Sequence, residues 1–248
     1  MFPRVVCVIH LPPLPGSPLC KNEVWEISEF ALKSAKAVEE GGADGIIIEN
    51  YGDKPFLKEV GVETVASMAA IARDVVREVN VSVGINVLRN DCFSSIAIAK
   101  AVKADFIRVN QLYYSSLSPE GWLESRAAEL MRYKAFLKCD SAVFADVSVK
   151  HAKHFVNAEE YAENFERSLA DAAIVTGSAT GKAVNLRELR FFKNALSKPV
   201  YAGSGITPEI AEKIKEKRLA DGIIVGTYVK EMGEISVERV KKVVKAFK

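Results

Sequence analysis

Eight short apolar runs, most of them rich in Val and Ile, recur along the chain at Val5–Ile9, Gly45–Ile48, Val81–Ile85, Phe106–Val109, Ala142–Ala145, Ala172–Val175, Pro199–Ala202 and Gly222–Val225. They are continuous rather than alternating, the pattern of strands buried on both faces of a parallel sheet. Between them lie segments with helical apolar spacing: Ile27–Glu40, Val62–Val79, Phe93–Val102, Leu123–Lys138, Ala158–Ser168, Leu186–Leu196 and Pro208–Lys217, with Ser236–Phe247 as the eighth. Strand–helix alternation predicts parallel βαβ units with right-handed crossovers, and eight such units close most naturally into one α/β (β/α)8 barrel, the TIM-barrel architecture. A doubly wound open sheet is disfavoured, because His10-Leu11-Pro12-Pro13-Leu14-Pro15-Gly16 stands where that fold needs a tight glycine turn into a helix. No linker, low-complexity tract or charge block divides the chain, so residues 1–248 read as a single domain.

Charge and cysteine usage narrow the partners. Lys and Arg number 34 against 32 Asp and Glu, a net +2 that gives no electrostatic reason to expect nucleic acid or an anionic membrane. No apolar run approaches the roughly 20 residues of a membrane span, and the amino terminus lacks a secretory leader pattern, so the expected location is cytoplasmic. Cys7, Cys20, Cys92 and Cys139 form no C-x-x-C pair, which argues against a zinc knuckle or a disulfide scaffold.

An Ala-Asp pair recurs where helices return to strands, at Ala43-Asp44, Ala104-Asp105, Ala170-Asp171 and Ala220-Asp221. Turn chemistry at the bottom of the barrel accounts for these aspartates.

The strand ends carry the functional groups. In such barrels the active site is built at the carboxyl ends of the strands, and there stand His10, Glu49, Asn86, Arg89, Arg108, Asn110, Asp146, Lys150, His151, Thr176, Ser204 and Thr227. After the last three strands come Thr176-Gly177, Gly203-Ser204-Gly205 and Gly226-Thr227. Glycines let backbone N–H groups approach an anion, hydroxyls add donors, and the loops after strands seven and eight are the usual phosphate-binding place. A helix beginning near Tyr228 is expected to aim its positive end at the same point. The plainer reading is that Thr207 caps a helix begun by Pro208 and the glycines are turns.

Glu49, Asp146, Lys150 and His10 are the candidates for chemistry, with the two carboxylates facing one another or a ligand across the mouth. Asn86, Arg89, Arg108, Asn110 and His151 are the candidate substrate ligands. An internal Arg–Asp pair fixing the barrel mouth, for instance with Asp91, is the structural alternative for either arginine. His151-Ala152-Lys153-His154 has metal-ligand spacing if helical, but no accompanying glutamate, so a divalent metal is admissible and not favoured; no other cofactor is indicated. Gly52-Asp53-Lys54-Pro55-Phe56 reads as a turn leading into a loop over the opening.

Several strings together resemble the BtpA family, also written BtpA/SgcQ. They include Val8-Ile9-His10-Leu11-Pro12-Pro13-Leu14-Pro15-Gly16, Glu49-Asn50-Tyr51-Gly52-Asp53, Gly84-Ile85-Asn86-Val87-Leu88-Arg89-Asn90-Asp91, Asp146-Val147-Ser148-Val149-Lys150-His151 and Gly203-Ser204-Gly205-Ile206-Thr207-Pro208. The resemblance implies a barrel of the ribulose-phosphate-binding type. Founding members are associated with photosystem I biogenesis as extrinsic thylakoid proteins, and other relatives sit among sugar-metabolism proteins. Two functions are therefore expected to compete. One is binding, with or without transformation by an isomerase, epimerase, lyase or glycosyl-transfer reaction, of a phosphorylated sugar or nucleoside-like metabolite. The other is a non-catalytic assembly or stability factor using the barrel as a scaffold. A homo-oligomer is compatible with either.

Overall fold

A computed structural model describes residues 2–147, 151–177 and 184–248. Strands β1 (Val5–His10), β2 (Gly45–Glu49), β3 (Ser82–Asn86), β4 (Phe106–Val109), β5 (Ala142–Val147), β6 (Ala172–Val175), β7 (Val200–Gly203) and β8 (Gly222–Val225) form a closed parallel barrel in chain order, β1 pairing with both β2 and β8. Helices α1 (Val24–Glu40), α2 (Val62–Glu78), α3 (Cys92–Val102), α4 (Ala127–Phe136), α5 (Ala158–Asn164), α6 (Leu186–Ala195), α7 (Pro208–Glu216) and α8 (Val237–Phe247) alternate with the strands.

Burial on two faces explains the continuous apolar runs. In β1, Val5, Cys7 and Ile9 pack outward in the core shared with the helices, whereas Val6 and Val8 point into the barrel with Ile47, Phe106, Phe144, Ile174, Tyr201 and Ile224. The lower interior is filled by rings: Phe106 stacks on Phe144 at 4.7 Å, and Tyr201 lies 5.0 Å from Phe144. Glycines across the barrel make room for them, since a Cβ on Gly84 would lie 2.3 Å from the Phe106 ring and one on Gly222 would lie 2.3 Å from Tyr201. Tyr201 also donates its hydroxyl to the Pro3 carbonyl at 2.7 Å, so the amino-terminal segment closes this end.

The corner aspartates are structural, as expected. Asp105, Asp171 and Asp221 each accept a 2.8 Å hydrogen bond from the backbone N–H of Val83, Val143 and Val200 respectively, at the lower end of the preceding or neighbouring strand. Asp44 does the same for Val5 at 3.0 Å.

Three expected helical boundaries are corrected. The segment read as a helix from Leu123 starts helical only at Ala127, because Ser116–Ser118 and Gly121–Leu123 form an antiparallel hairpin, extended by Lys153–His154 into a three-stranded sheet. The cause is the tip Ser118-Pro119-Glu120-Gly121: Pro119 fixes φ at the second turn position and Gly121 sits at φ +100, where an L side chain is strained. The helix from Ala158 ends at Asn164 and continues as a 3-10 turn, Phe165–Ser168. No helix begins at Tyr228: Lys230–Glu231 and Glu234–Ile235 pair as a hairpin through Met232 and Gly233, both at positive φ, and α8 starts at Val237.

Candidate functional site

The period of two that fills the barrel also builds its mouth. Stepping two residues past the last interior apolar side chain or glycine of each strand leads from Val8 to His10, Ile47 to Glu49, Gly84 to Asn86, Phe106 to Arg108 and Phe144 to Asp146, then from Ile174 to Thr176, Tyr201 to Gly203 and Ile224 to Gly226. The upper ring is thus charged or polar on β1–β6 and bare on β7 and β8. A cavity of about 190 Å³ opens above it, bounded by His10, Glu49, Arg89, Arg108, Asn110 and His151 on the polar side and by Gly203, Ser204, Gly205, Gly226 and Thr227 on the other.

Arg108 is the hub of the polar side. Its Nε and Nη2 donate to Asp146 Oδ1 and Oδ2 at 2.9 Å each, and its Nη1 lies 3.7 Å from Glu49 Oε2. Burial works against the Arg108 charge, but the two carboxylates overcome it and hold the guanidinium above its usual range. Asn110 Nδ2 adds a third 2.9 Å bond to Asp146, and Asn86 Nδ2 donates to Asn110 Oδ1 at 3.1 Å and to the Arg108 carbonyl at 2.9 Å. Asp146 and Asn86 therefore point inward as expected but do not line the cavity: the Asp146 carboxylate and the Asn86 Nδ2 are turned to Arg108 and Asn110, and Asn86 Oδ1 is buried without a hydrogen-bond partner among the described residues.

Glu49, by contrast, does line the cavity. Its Oε1 lies 3.6 Å from His10 Nε2, and the His10 ring stacks on Tyr51 at 4.3 Å. Lys54 Nζ sits 4.1 Å over the same tyrosine ring, so Tyr51 orients His10 between its neighbours. The loop after β2 folds over the opening as expected, with Tyr51 and Phe56 on the cavity wall. Asp53 ties it down, accepting from Leu14 N at 2.7 Å and from Asn50 Nδ2 at 3.0 Å; burial raises the Asp53 carboxyl above its ordinary range against these bonds.

Arg89 pairs not with Asp91 but with Glu120, whose Oε2 lies 3.6 Å from Arg89 Nε; burial lowers the Arg89 guanidinium below its usual range, against the attraction of Glu120. Asp91 instead caps α3, accepting from Ser94 N at 2.9 Å; the internal Arg–Asp pair that the sequence offered as the structural alternative is made by Arg108 with Asp146, not with Asp91. Glu120 is a cavity residue missed in the sequence. The available signal was Ser-Pro-Glu-Gly, a turn placing a carboxylate at its tip.

On the bare side, Ser204 and Gly205 are successive residues at φ +74 and +61, turning the β7 loop toward the cavity before Thr207 and Pro208 start α7. A Cβ on Gly226 would lie 3.5 Å from His10 Nε2, so glycine there keeps the space beside the imidazole open. Thr176 and Gly177 end the β6 run without lining the cavity, and the rest of that loop, like Lys150, lies outside the described residues. The two histidines of the H-x-x-H string share no helix face: His151, at φ +61, lines the cavity, while His154 sits in a short strand with Nδ1 2.9 Å from Tyr161 Oη. Among the described residues no group of three His, Cys, Asp or Glu is arranged to hold a metal ion.

A profile described as the BtpA family matches residues 2–248. The chain is 55% identical over 248 residues to an uncharacterized protein of Archaeoglobus fulgidus, covering all of both chains. It is 40% identical over 237 residues to the photosystem I biogenesis protein BtpA of a Synechocystis strain, covering 94% of this chain and 82% of that one. Among solved structures it resembles phosphoribosyl anthranilate isomerase from Thermotoga maritima (TM-score 0.63, 15% identity, 99% and 98% coverage) and thiamine phosphate pyrophosphorylase from Pyrococcus furiosus (TM-score 0.60, 21% identity, 98% and 94% coverage). At these identities the structural likeness shows a shared fold. No described helix is long and apolar enough to cross a membrane.

Proposed function

Starting from the fact that the chain belongs to the BtpA family, we propose that its barrel mouth binds a phosphorylated sugar or nucleoside-like small molecule, phosphate first. The observation that carries this reading is the division of the cavity wall. Gly203, Ser204, Gly205, Gly226 and Thr227 line one side, three of them without a side chain, with His10 beside Gly226 and further ionisable groups completing the wall. Such a wall suits an anion that needs several N–H donors at close range, and proteins of the same fold include a thiamine phosphate pyrophosphorylase and an N-acetylmannosamine-6-phosphate 2-epimerase. With the phosphate held there, the rest of the ligand lies over His10 and Glu49, two proton-exchanging groups 3.6 Å apart. Anchoring at one end makes their positioning productive at the other.

In this proposal Asp146 acts through Arg108 as a positioning residue, while Glu49 and His10 carry the acid–base role. Arg108 and Asn110 reach the ligand from the floor, and Arg89 and His151 from the rim. The proposal includes no metal.

Gly205→Leu tests it. At φ +61 a leucine costs about 1–2 kcal/mol locally, small against a typical domain stability of about 5–15 kcal/mol, and its side chain crowds the backbone donors. Loss of inorganic-phosphate and sugar-phosphate binding by calorimetry, with the circular dichroism spectrum retained, is expected. Unchanged affinity removes the phosphate site.

A second reading, the assembly factor, is favoured by Leu117, Trp122 and Phe155, which stay exposed on the three-stranded sheet above the mouth. It requires that Trp122→Ser, and not Gly205→Leu, abolish co-migration with a partner.

A further inference from the structure

Glu120 stands in the cavity without a hydrogen-bond donor. The hairpin tip Pro119-Glu120 lines the mouth, and Glu120 Oε2 is buried and accepts no hydrogen bond; the Arg89 Nε at 3.6 Å is an ion contact beyond hydrogen-bond range. A buried carboxylate oxygen without a donor is costly, and most such atoms in folded proteins are satisfied. This one is delivered by a designed turn, on a side chain only 14% exposed, into a space sized for a small molecule.

The surrounding charge says what kind of group completes it. Glu49 and Asp146 share Arg108, and Glu49 also draws Lys230, whereas the one ion contact of Glu120 among the described residues is Arg89 at 3.6 Å. A second anion placed against Glu120 meets its carboxylate, whereas a hydroxyl or amine there finds an acceptor.

We infer that Glu120 is a ligand-binding residue that accepts a hydrogen bond from the end of the ligand remote from phosphate, and that the ligand is a monophosphate whose remote end is a polyol or amine rather than a second acid. The inference deepens the phosphate reading above and rests on it. Glu120 selects and Glu49 with His10 exchanges protons, so the two carboxylates of the cavity wall have separate tasks.

The test compares wild type, Glu120→Gln and Glu120→Ala by calorimetry against four probes: inorganic phosphate, ribose 5-phosphate, 3-phosphoglycerate and ribitol. A charged acceptor typically contributes about 1.5–3 kcal/mol, so Glu120→Ala is expected to weaken ribose 5-phosphate by about 10- to 100-fold and to leave inorganic phosphate unchanged. Glu120→Gln keeps an acceptor and should fall between. The 3-phosphoglycerate, whose carboxylate no longer meets Glu120, should bind Glu120→Ala more tightly than wild type. That reversal separates ligand reading from a structural role, which would weaken every probe together. Parallel loss of all probes, or no change in any, overturns the inference while leaving the phosphate site standing if inorganic phosphate binds wild type. If no phosphate binds wild type, the phosphate reading falls and the monophosphate part of the inference with it; ribitol binding that Glu120→Ala loses then sustains Glu120 as a hydroxyl acceptor, and no ribitol binding ends that role too.

Discussion

Replacing Asp146 by Asn changes one oxygen for an amino group in the most constrained polar cluster of the protein. Asp146 Oδ2 accepts from both Arg108 Nη2 and Asn110 Nδ2 at 2.9 Å, while Oδ1 accepts from Arg108 Nε at 2.9 Å. An amide keeps one of these oxygens and turns its NH2 against donors at the other. The Asp146 side chain is fully buried and that of Arg108 is 8% exposed, so water does not repair the mismatch. Arg108 then keeps only Glu49, at 3.7 Å, as a counter-charge. Breaking one side of a buried pair costs about 3–5 kcal/mol. At about 2–4 °C per kcal/mol for a domain of this size, the melting temperature falls by roughly 6–20 °C. Urea unfolding followed by the fluorescence of Trp25 and Trp122 measures it, and the double substitution Arg108→Met with Asp146→Leu should recover most of the loss, since both charges leave together. A single Asp146→Asn variant within about 1 kcal/mol of wild type would refute the assignment of Asp146 as the counter-ion that holds Arg108.

Asp171→Ala leaves the Val143 N–H without its 2.8 Å acceptor and should cost about 1–3 kcal/mol in urea unfolding with ligand affinity unchanged; a loss of affinity at full stability contradicts a purely structural corner. Gly84→Ala puts a methyl 2.3 Å from the Phe106 ring and should destabilise by about 1–3 kcal/mol or more through overpacking, a prediction that a neutral melting shift defeats. Lys230 is pulled down to about 8 by burial, against the attraction of Glu49. Between pH 8 and 10.5 the unfolded chain holds a proton that the folded chain has shed, so this residue makes stability rise with pH across that window. The stability difference between wild type and Lys230→Met should climb there, and a flat difference from pH 7 to 11 excludes the effect.

Much of the mouth was legible because strand periodicity and barrel geometry act together. Once Val6, Val8, Ile47, Phe106, Phe144 and Ile174 are known to point inward, alternation places His10, Glu49, Arg108, Asp146 and Thr176 on the same side without any further information. What each residue does there was not legible. Glu49 and Asp146 look equivalent as strand-end carboxylates, and only the lean of the Arg108 fork toward Asp146 separates a buried counter-ion from a cavity group. Glu120 was missed for a different reason. Its contribution depends on a hairpin folding back over the barrel, a tertiary event, although Pro119 and Gly121 announce the turn itself. The expected helix after Thr227 failed where local conformation prevailed, since Met232-Gly233 supplies a hairpin turn at positive φ.

The packed rings of Phe106, Phe144 and Tyr201 give traffic through this barrel a direction. A molecule that enters above Arg108 meets these rings below it, so substrates and products of any reaction at this mouth share one opening. Replacing Phe144 by Ala would enlarge the space under the floor but, with Tyr201 bonded to Pro3, would still not make a second door.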